Sequence, residues 1–166
     1  RDIERTLRVS FEQAVEGFQS KFRYQRPERC DVCGGTGVVA GRPCSACGRT
    51  GERNVEKTLT VNVPQGAADG DRIRLRGKGA QAASSQAKSG DLILNIVVQP
   101  HAVFTRDGLD LFARVPVSPH DAMLGGSLDV DTLDGAVRVK LPPALSAGQK
   151  LRLAGRGVTR GGKTGA

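Results

Sequence analysis

The chain has 166 residues, a formal net charge of +8 and a hydrophobic content of 38%. These values suit a soluble globular protein of one domain or two small ones, and no apolar run approaches the roughly 20 residues of a membrane-spanning helix. The charge makes nucleic acid a partner to consider. Because the basic residues are scattered and only six residues are aromatic, solvated surfaces explain the charge better than a nucleic-acid interface. The chain begins with arginine rather than methionine, so we expect a fragment of a longer protein.

Taken in chain order, the first segments predict a strand, a short helix and a second strand. Thr6 to Ser10 alternates between polar and apolar residues, which is typical of a strand. Ser10 and Gln13 have the spacing of a helix capping box, and Gly17 is a natural C-terminal stop. Phe18 to Tyr24 then resumes the alternation and predicts the second strand.

The next stretch contains every cysteine of the chain, in two C-x-x-C pairs separated by ten residues. It reads C-D-V-C-G-G-T-G, then V-V-A-G-R-P, then C-S-A-C-G-R-T-G. Four thiolates at this spacing fit one tetrahedral zinc ion, and four protein ligands close the site, so we predict a structural zinc. The predicted ligands are Cys30, Cys33, Cys44 and Cys47. Gly34 and Gly48 follow the second cysteine of each pair and let backbone N–H groups turn toward the sulfurs. Gly41 is the predicted turn of a hairpin-like loop between the pairs.

Two other uses of the cysteines are open. One C-x-x-C pair can act as a thiol–disulfide redox centre, and two disulfides can brace a secreted module. The sequence shows no signal-peptide pattern, and four cysteines in 166 residues are sparse for a disulfide scaffold. The spacing therefore favours structural zinc over both alternatives.

After the cysteines, the sequence predicts three more strands and one long loop. Lys57 to Val63 and Asp71 to Arg76 alternate in the manner of half-buried strands. Gly77 to Gly90 is rich in Gly, Ala, Ser and Gln, which indicates a loop. Leu92 to Val98 is almost entirely apolar, so we predict a central strand there.

Part of this pattern then repeats. Residues 61–79 match residues 139–157 at seven of nineteen positions, with an offset of 78. Residues 7–17 match residues 115–125 with an offset of 108, and in each a serine precedes a short predicted helix. The offsets differ by 30, so we interpret the chain as two copies of one β-rich unit, the first with about 30 extra residues around its cysteines. The alternative is a chance likeness between strand–turn patterns. The second copy lacks a counterpart of Leu92–Val98, which predicts an open strand edge.

The predicted architecture is mainly β, with two similar β-sandwich-like domains in series, short helices, and a zinc-binding hairpin module inserted in the first domain. The first domain is split into residues 1–29 and 52–107, and the second comprises residues 108–166. Residues 30–51 form the module, which has too few apolar residues for its own core and should fold on zinc. Below, residues 1–107 are called copy one and residues 108–166 copy two.

These motifs resemble those of DnaJ-type co-chaperones. Both cysteine segments resemble the C-x-x-C-x-G-x-G repeat of that family. The segments L-x-V-S-F-E-Q-A-V-x-G, G-D-R-I-R-L-x-G-x-G and G-D-L-I-L-x-I-V-V-Q-P-H extend the resemblance over essentially the whole chain. The resemblance implies a cytoplasmic protein without enzymatic activity that binds unfolded polypeptides and hands them to a DnaK-type ATP-driven chaperone. It also implies a homodimer for the full-length protein.

The sequence departs from the family pattern in three places. Full members carry four cysteine repeats and two zinc ions, whereas this chain has two repeats, which match the first and the fourth. The resemblance therefore implies one zinc ion per chain and loss of the centre that the family associates with handover to DnaK. Pro119-His120-Asp121 differs from the H-P-D of a J-domain, and we expect neither a J-domain nor the C-terminal dimerisation segment in this fragment.

The resemblance also implies a client site, an apolar groove on the first domain that takes an extended peptide beside a strand edge. The matching positions are Ile3, Leu7, Phe22, Tyr24 and Leu94. A strand edge offers backbone hydrogen bonds to any sequence, while an apolar groove selects large hydrophobic side chains. The alternative is that these residues belong to the core of copy one. The alternative function is nucleic-acid binding by a zinc ribbon.

Overall fold

The computed structural model describes residues 1–81 and 88–166, and it confirms the predicted mainly β fold with short helices. The predicted loop Gly77–Gly90 contains residues 82–87, which lie outside the described residues. In chain order the elements are β1 (Ile3–Val9), α1 (Phe11–Glu16), β2 (Phe18–Arg29), β3 (Val38–Val39), β4 (Arg42–Pro43), β5 (Glu52–Val63), β6 (Arg72–Leu75), β7 (Leu92–Val98), β8 (Phe104–Asp107), β9 (Asp110–Ala113), α2 (Pro119–Leu124), β10 (Gly126–Thr132), β11 (Gly135–Leu141), β12 (Thr159–Arg160) and β13 (Lys163–Thr164).

The chain forms two compact units. Unit 1 comprises Arg1–Val9, Phe18–Val63 and Ala68–Val98, and unit 2 comprises Ser10–Gly17, Pro64–Ala67 and Gln99–Ala166. All four cysteines lie in unit 1, whereas α1, which belongs to copy one in the sequence, lies in unit 2. The domain boundaries given above stay predictions.

The first sheet of unit 1 has β7 at its centre. β7 runs parallel to β1 and antiparallel to β6, which agrees with the apolar sequence that predicted a central strand. Leu92, Leu94 and Ile96 alternate along one face of β7 and are fully buried. The core of unit 1 therefore lies on this face of the sheet.

The second sheet of unit 1 is a long hairpin arm made of β2 and β5, each of twelve residues. The sequence predicted only the halves of these strands at residues 18–24 and 57–63, because the outer halves are polar and show no apolar alternation. Continuous backbone pairing and a contact of 3.1 Å between Lys57 Nζ and Glu28 Oε1 hold the outer half together. At the tip Arg29 pairs with Glu52, so the arm carries the cysteines at its end.

The strand registers confirm the internal repeat. In copy two, Gly126 of β10 pairs with Leu141 of β11. The offset of 108 relates Gly126 to Phe18 of copy one, and the offset of 78 relates Leu141 to Val63. Phe18 and Val63 are also paired with each other. The ladder of the β10–β11 hairpin is thus reproduced at the base of the arm.

The extra residues of copy one begin where the copy-two hairpin turns. β10 and β11 are joined through residues 133–134, whereas the corresponding strands of copy one are joined through residues 25–56. The connection in copy one is longer by 30 residues, which equals the difference between the two offsets. The cysteine module is therefore an insertion at a hairpin turn.

Unit 2 contains both helices of the described residues. The predicted capping box of α1 is present, with the Ser10 hydroxyl accepting from the Gln13 amide and the Gln13 side chain accepting from the Ser10 amide. The Ser118 hydroxyl caps α2 by accepting from the Asp121 amide, and Pro119 is the first residue of this helix. Within the described residues, no helix combines the length and apolar character needed to cross a membrane.

Candidate metal centre

The four cysteines converge at the tip of the arm. Their Sγ atoms all lie within 4.8 Å of one another. The Sγ atoms of Cys30 and Cys44 are 3.9 Å apart, and those of Cys33 and Cys47 are 3.7 Å apart. Three of the four residues are buried, and Cys47 is half-buried. The structure thus brings together the two C-x-x-C pairs that are separated along the chain.

This geometry fits a tetrahedral zinc site. Zn–S bonds of about 2.3 Å require tetrahedron edges of about 3.8 Å, and the two Sγ–Sγ distances lie on either side of that value. The donor set is four soft thiols with no imidazole or carboxylate, which is a common ligand set for structural zinc. Four thiols this close together can hold one metal ion.

Each C-x-x-C pair belongs to a turn that repeats after fourteen residues. The Cys33 carbonyl accepts from the Thr36 hydroxyl at 2.7 Å, and the Cys47 carbonyl accepts from the Thr50 hydroxyl at 2.6 Å. Each turn also receives a bond from the other, since the Cys30 amide donates to the Gly51 carbonyl at 2.9 Å and the Cys44 amide to the Gly37 carbonyl at 3.0 Å. The module is therefore two interlocked copies of one turn. Our sequence interpretation missed both threonines, although the T-G that follows each pair was a visible signal.

Backbone amides point at the sulfurs, as expected, but from a different position. The amides of Gly37 and Gly51 each donate to a cysteine Sγ at 3.3 Å, the first to Cys33 and the second to Cys47. Burial opposes ionisation of Cys33, but hydrogen bonds from the Gly37 and Gly35 amides outweigh it and lower the pKa of this thiol to about 6. The site therefore favours the thiolate, which is the form that binds metal.

One position of the second cysteine segment departs from the family repeat, which corrects the resemblance described above. Arg49 stands where the first segment has Gly35 and where the repeat has glycine. Both residues have a positive φ, 74° for Arg49 and 85° for Gly35. The turn therefore keeps its shape at Arg49 at the cost of a left-handed conformation for a residue with a side chain.

The hairpin between the two turns forms as predicted. β3 and β4 pair in antiparallel fashion and are joined by Ala40 and Gly41. Both joining residues have positive φ, 51° and 76°, which is the backbone of a two-residue hairpin turn. This hairpin sets the distance between the first and second pair of ligands.

The five predicted client-binding residues all lie in unit 1, and they differ in accessibility. Leu94 is fully buried on β7, and Leu7 and Tyr24 are also buried. The Tyr24 hydroxyl donates to the Lys78 carbonyl at 2.7 Å, which fixes the ring. Ile3 on β1 and Phe22 on β2 are half-buried and can still contact solvent. The burial of Leu7, Tyr24 and Leu94 agrees with the alternative that they are core residues. Ile3 and Phe22 are accessible enough to contact a bound peptide.

Among the described residues, each strand that carries an accessible residue has one edge that pairs with no other strand. Among the described residues, β1 pairs only with β7, and β2 pairs only with β5. The Phe22 ring stacks on the Tyr24 ring with 6.3 Å between centroids. Phe22 therefore offers an apolar ring, supported by Tyr24, on strand β2. In the described structure no second strand pairs with β2 beside β5.

The comparisons with known proteins agree with this arrangement. The family model for the DnaJ C terminal domain matches residues 3–166. The chain belongs to this family. It is 45% identical to chaperone protein DnaJ of Psychrobacter arcticus over 132 residues, which cover 80% of this chain and 35% of that protein. It is 43% identical to chaperone protein DnaJ of Sinorhizobium fredii over 155 residues, covering 92% of this chain and 39% of that protein. The resemblance inferred from the motifs is confirmed, and the chain spans well under half the length of these relatives.

Proposed function

We propose that this chain is the client-binding region of a DnaJ-type co-chaperone. It binds unfolded or misfolded polypeptides on unit 1, and within the full-length protein it serves a DnaK-type ATP-driven chaperone in the cytoplasm. The proposed site is an apolar groove whose accessible members are Ile3 and Phe22. The observation that carries the proposal is family membership together with a half-buried, solvent-accessible aromatic side chain, Phe22, on a strand edge that is unpaired among the described residues.

The groove combines two physical features. An extended peptide can add to a strand edge through backbone hydrogen bonds, which do not depend on its sequence. Of the predicted set, Leu7, Tyr24 and Leu94 are buried, and the Phe22 ring stacks on Tyr24, whose hydroxyl donates to the Lys78 carbonyl. Such a surface selects large hydrophobic side chains of the kind that unfolded chains expose.

We further propose that the cysteine module binds one zinc ion per chain in a structural role. The four thiols are the ligands, and zinc neutralises thiolates that amide hydrogen bonds already favour. When bound, zinc supplies a fixed crosslink between the two turns. The chain's own residues supply the amide donors and the Thr36 and Thr50 hydroxyls, which donate to the cysteine carbonyls. We assign no enzymatic activity to these residues.

Replacement of Phe22 by alanine tests the proposed groove. Phe22 is half-buried and makes only part of its contacts with protein, so Phe22→Ala should weaken binding of a fluorescent apolar peptide severalfold while thermal stability falls little. The measurements are fluorescence anisotropy and differential scanning calorimetry on the same preparations. The matched control is Phe112→Ala, which removes an exposed phenyl ring from unit 2 and should leave peptide affinity unchanged.

A core role for these residues predicts a different result. If Phe22 belongs to the core, its truncation should cost roughly 3 kcal/mol or more of stability. Leu94→Ala gives the reference for such a loss, because this side chain is fully buried. Unchanged peptide affinity in a folded Phe22→Ala protein would remove this site from consideration.

A further inference from the structure

The main-chain groups of β2 alternate between its partner strand and its opposite edge. The Cys30 amide donates to the Gly51 carbonyl at 2.9 Å, and this bond continues the register in which Arg29 pairs with Glu52. Main-chain groups of successive residues point to alternate sides of a strand, so the even-numbered residues of β2 direct their N–H and C=O groups toward β5. The odd-numbered residues direct theirs to the edge that pairs with no strand among the described residues.

Near the tip of the arm, Gln81 occupies this outward edge. The Gln81 amide donates to the Pro27 carbonyl at 3.2 Å, and the Gln81 side-chain Oε1 accepts from the Arg29 amide at 3.1 Å. A residue of a parallel partner strand makes the same two contacts, because it donates to one residue and accepts from the residue two positions later. Pro27 itself has no N–H that a partner could use. Gln81 therefore takes the place of an added strand at positions 27 and 29.

Between Gln81 and the base of the arm, the outward edge is open. The Gly17 amide, directly before β2, is engaged by the Gln13 carbonyl at 2.9 Å as the end of α1. Phe22 lies midway along the stretch 19–25, and its ring is half-buried. Within the ranges 1–81 and 88–166, no hydrogen bond engages the outward main-chain groups of Gln19, Lys21, Arg23 and Gln25. We call residues 19–25 the open edge.

We propose that Gln81 is a specificity-determining residue that ends the open edge and so fixes the length and register of a bound client segment. This inference rests on the client binding proposed above. A client strand added to β2 finds free main-chain partners only along residues 19–25, which corresponds to about seven client residues. In either strand direction, the client residue that faces Phe22 has its side chain on the same face as the Phe22 ring. The open edge therefore selects an extended segment of about seven residues with a large apolar side chain at its centre.

Two fluorescein-labelled peptides test the length limit. The peptide T-A-T-L-T-A-T has its one leucine at the centre, and S-S-T-A-T-L-T-A-T-S-S adds only polar residues at each end. In fluorescence anisotropy, the affinities of the two peptides for the 166-residue chain should agree within about twofold, because Gln81 already holds the main-chain groups that the added residues would reach. The longer peptide should gain affinity only in a chain that lacks the bonds of Gln81.

Variants of Gln81 release the covered groups in steps. Gln81→Ala removes the Oε1 acceptor, and Gln81→Pro removes both this acceptor and the N–H donor. The longer peptide should bind about threefold more tightly than the shorter one in Gln81→Ala and about tenfold more tightly in Gln81→Pro, since each freed main-chain group adds one hydrogen bond. Gln81→Glu keeps an oxygen acceptor and should behave as the unmodified chain does. The matched control is Gln149→Pro, because Gln149 makes the same two kinds of bond with Ser146 in unit 2, and its loss should leave both affinities unchanged.

Hydrogen exchange without peptide tests the stop separately from client binding. The Arg29 amide should be protected in the unmodified chain and in Gln81→Glu, and it should exchange faster in Gln81→Ala. A longer peptide that binds the unmodified chain about tenfold more tightly than the shorter one, or a length dependence that no Gln81 variant changes, would overturn the role of Gln81 and leave the proposed client site standing. Absence of binding by both peptides, with the Arg29 amide protected, would instead overturn client binding at this edge and this inference with it.

Discussion

At position 49, an arginine holds a backbone conformation that glycine adopts more easily. Its φ of 74° matches the positive φ of Gly35 in the sister turn, and a left-handed conformation costs a residue with a Cβ roughly 1–2 kcal/mol. The neighbouring turn lies close to this residue, because a Cβ built on Gly37 would overlap the Arg49 carbonyl oxygen. The two turns therefore fix each other's backbone, and the strain at Arg49 is held in place by this contact.

Arg49→Gly should accordingly stabilise the module. We expect a gain of about 1 kcal/mol, reduced somewhat by the greater freedom of glycine in the unfolded chain. Native-state hydrogen exchange of the Gly37 and Gly51 amides, which contact the sulfurs, measures the effect. Arg42→Gly is the control, because Arg42 lies in β4 without a positive φ and should lose stability instead. Faster exchange in Arg49→Gly than in the unmodified chain would contradict this account.

Ionisation of Cys33 gives the second expectation at this scale. Burial disfavours its thiolate, but the amide hydrogen bonds prevail and lower the pKa to about 6, against an ordinary 9.0. Because the folded value is the lower one, the Cys33 thiolate stabilises the folded module fully above a pH of about 9, and this contribution is lost as pH falls through about 6. Zinc affinity, measured by competition with a chromophoric chelator, should therefore decrease as pH falls from 7 to 5, because a proton then competes with the metal at this thiol.

The control for this pH dependence is a chain in which the thiol is removed. Cys33→Ser has no thiol to protonate at this position, so it should bind zinc more weakly and with a shallower dependence of affinity on pH. Zinc affinity of the unmodified chain that stays constant from pH 7 to pH 5 would show that protonation of Cys33 does not oppose metal binding.

Among the elements, the arm and the module at its tip depend on different interactions. β2 and β5 are held by a continuous backbone ladder, and at the base of the arm the side chains of Val61 and Val63 are buried. In the described structure, the module beyond Arg29 has the cysteines as its only buried cluster, so it lacks the apolar core that would hold it without a crosslink. The two parts should therefore respond differently to metal removal.

Zinc removal should unfold the module and leave the strands. Elemental analysis of protein expressed with zinc should give one zinc per chain, because the four thiols form one cluster. After chelation, we expect the exchange protection of the module amides to disappear while the β-sheet circular dichroism of the chain persists. Cys30→Ser combined with Cys44→Ser should reproduce the chelated state in the presence of zinc. Two zinc ions per chain, or a collapse of the β-sheet signal on chelation, would refute this separation.

For the whole molecule, the sequence predicted the repeat, the inserted module and the family, because these depend on residue types and spacings. The central position of β7 followed from its apolar run, and the clustering of the four cysteines followed from the two C-x-x-C pairs. The outer half of the arm could not be predicted, because its strands are mostly polar without apolar alternation and are defined by backbone pairing. The grouping of α1 with unit 2 and the burial of Tyr24 and Leu94 depend on tertiary packing, which a local pattern does not report.

The placement of the module at a hairpin turn bears on how such chains can change in evolution. The ladder that begins at Phe18 and Val63 sets which face each side chain of the arm occupies, and a one-residue slip on one strand would turn every later side chain to the opposite face. Equal gains or losses on both strands only lengthen or shorten the arm. A lineage can therefore acquire, duplicate or discard cysteine repeats at the tip in balanced steps, without disturbing the inherited sheet at the base.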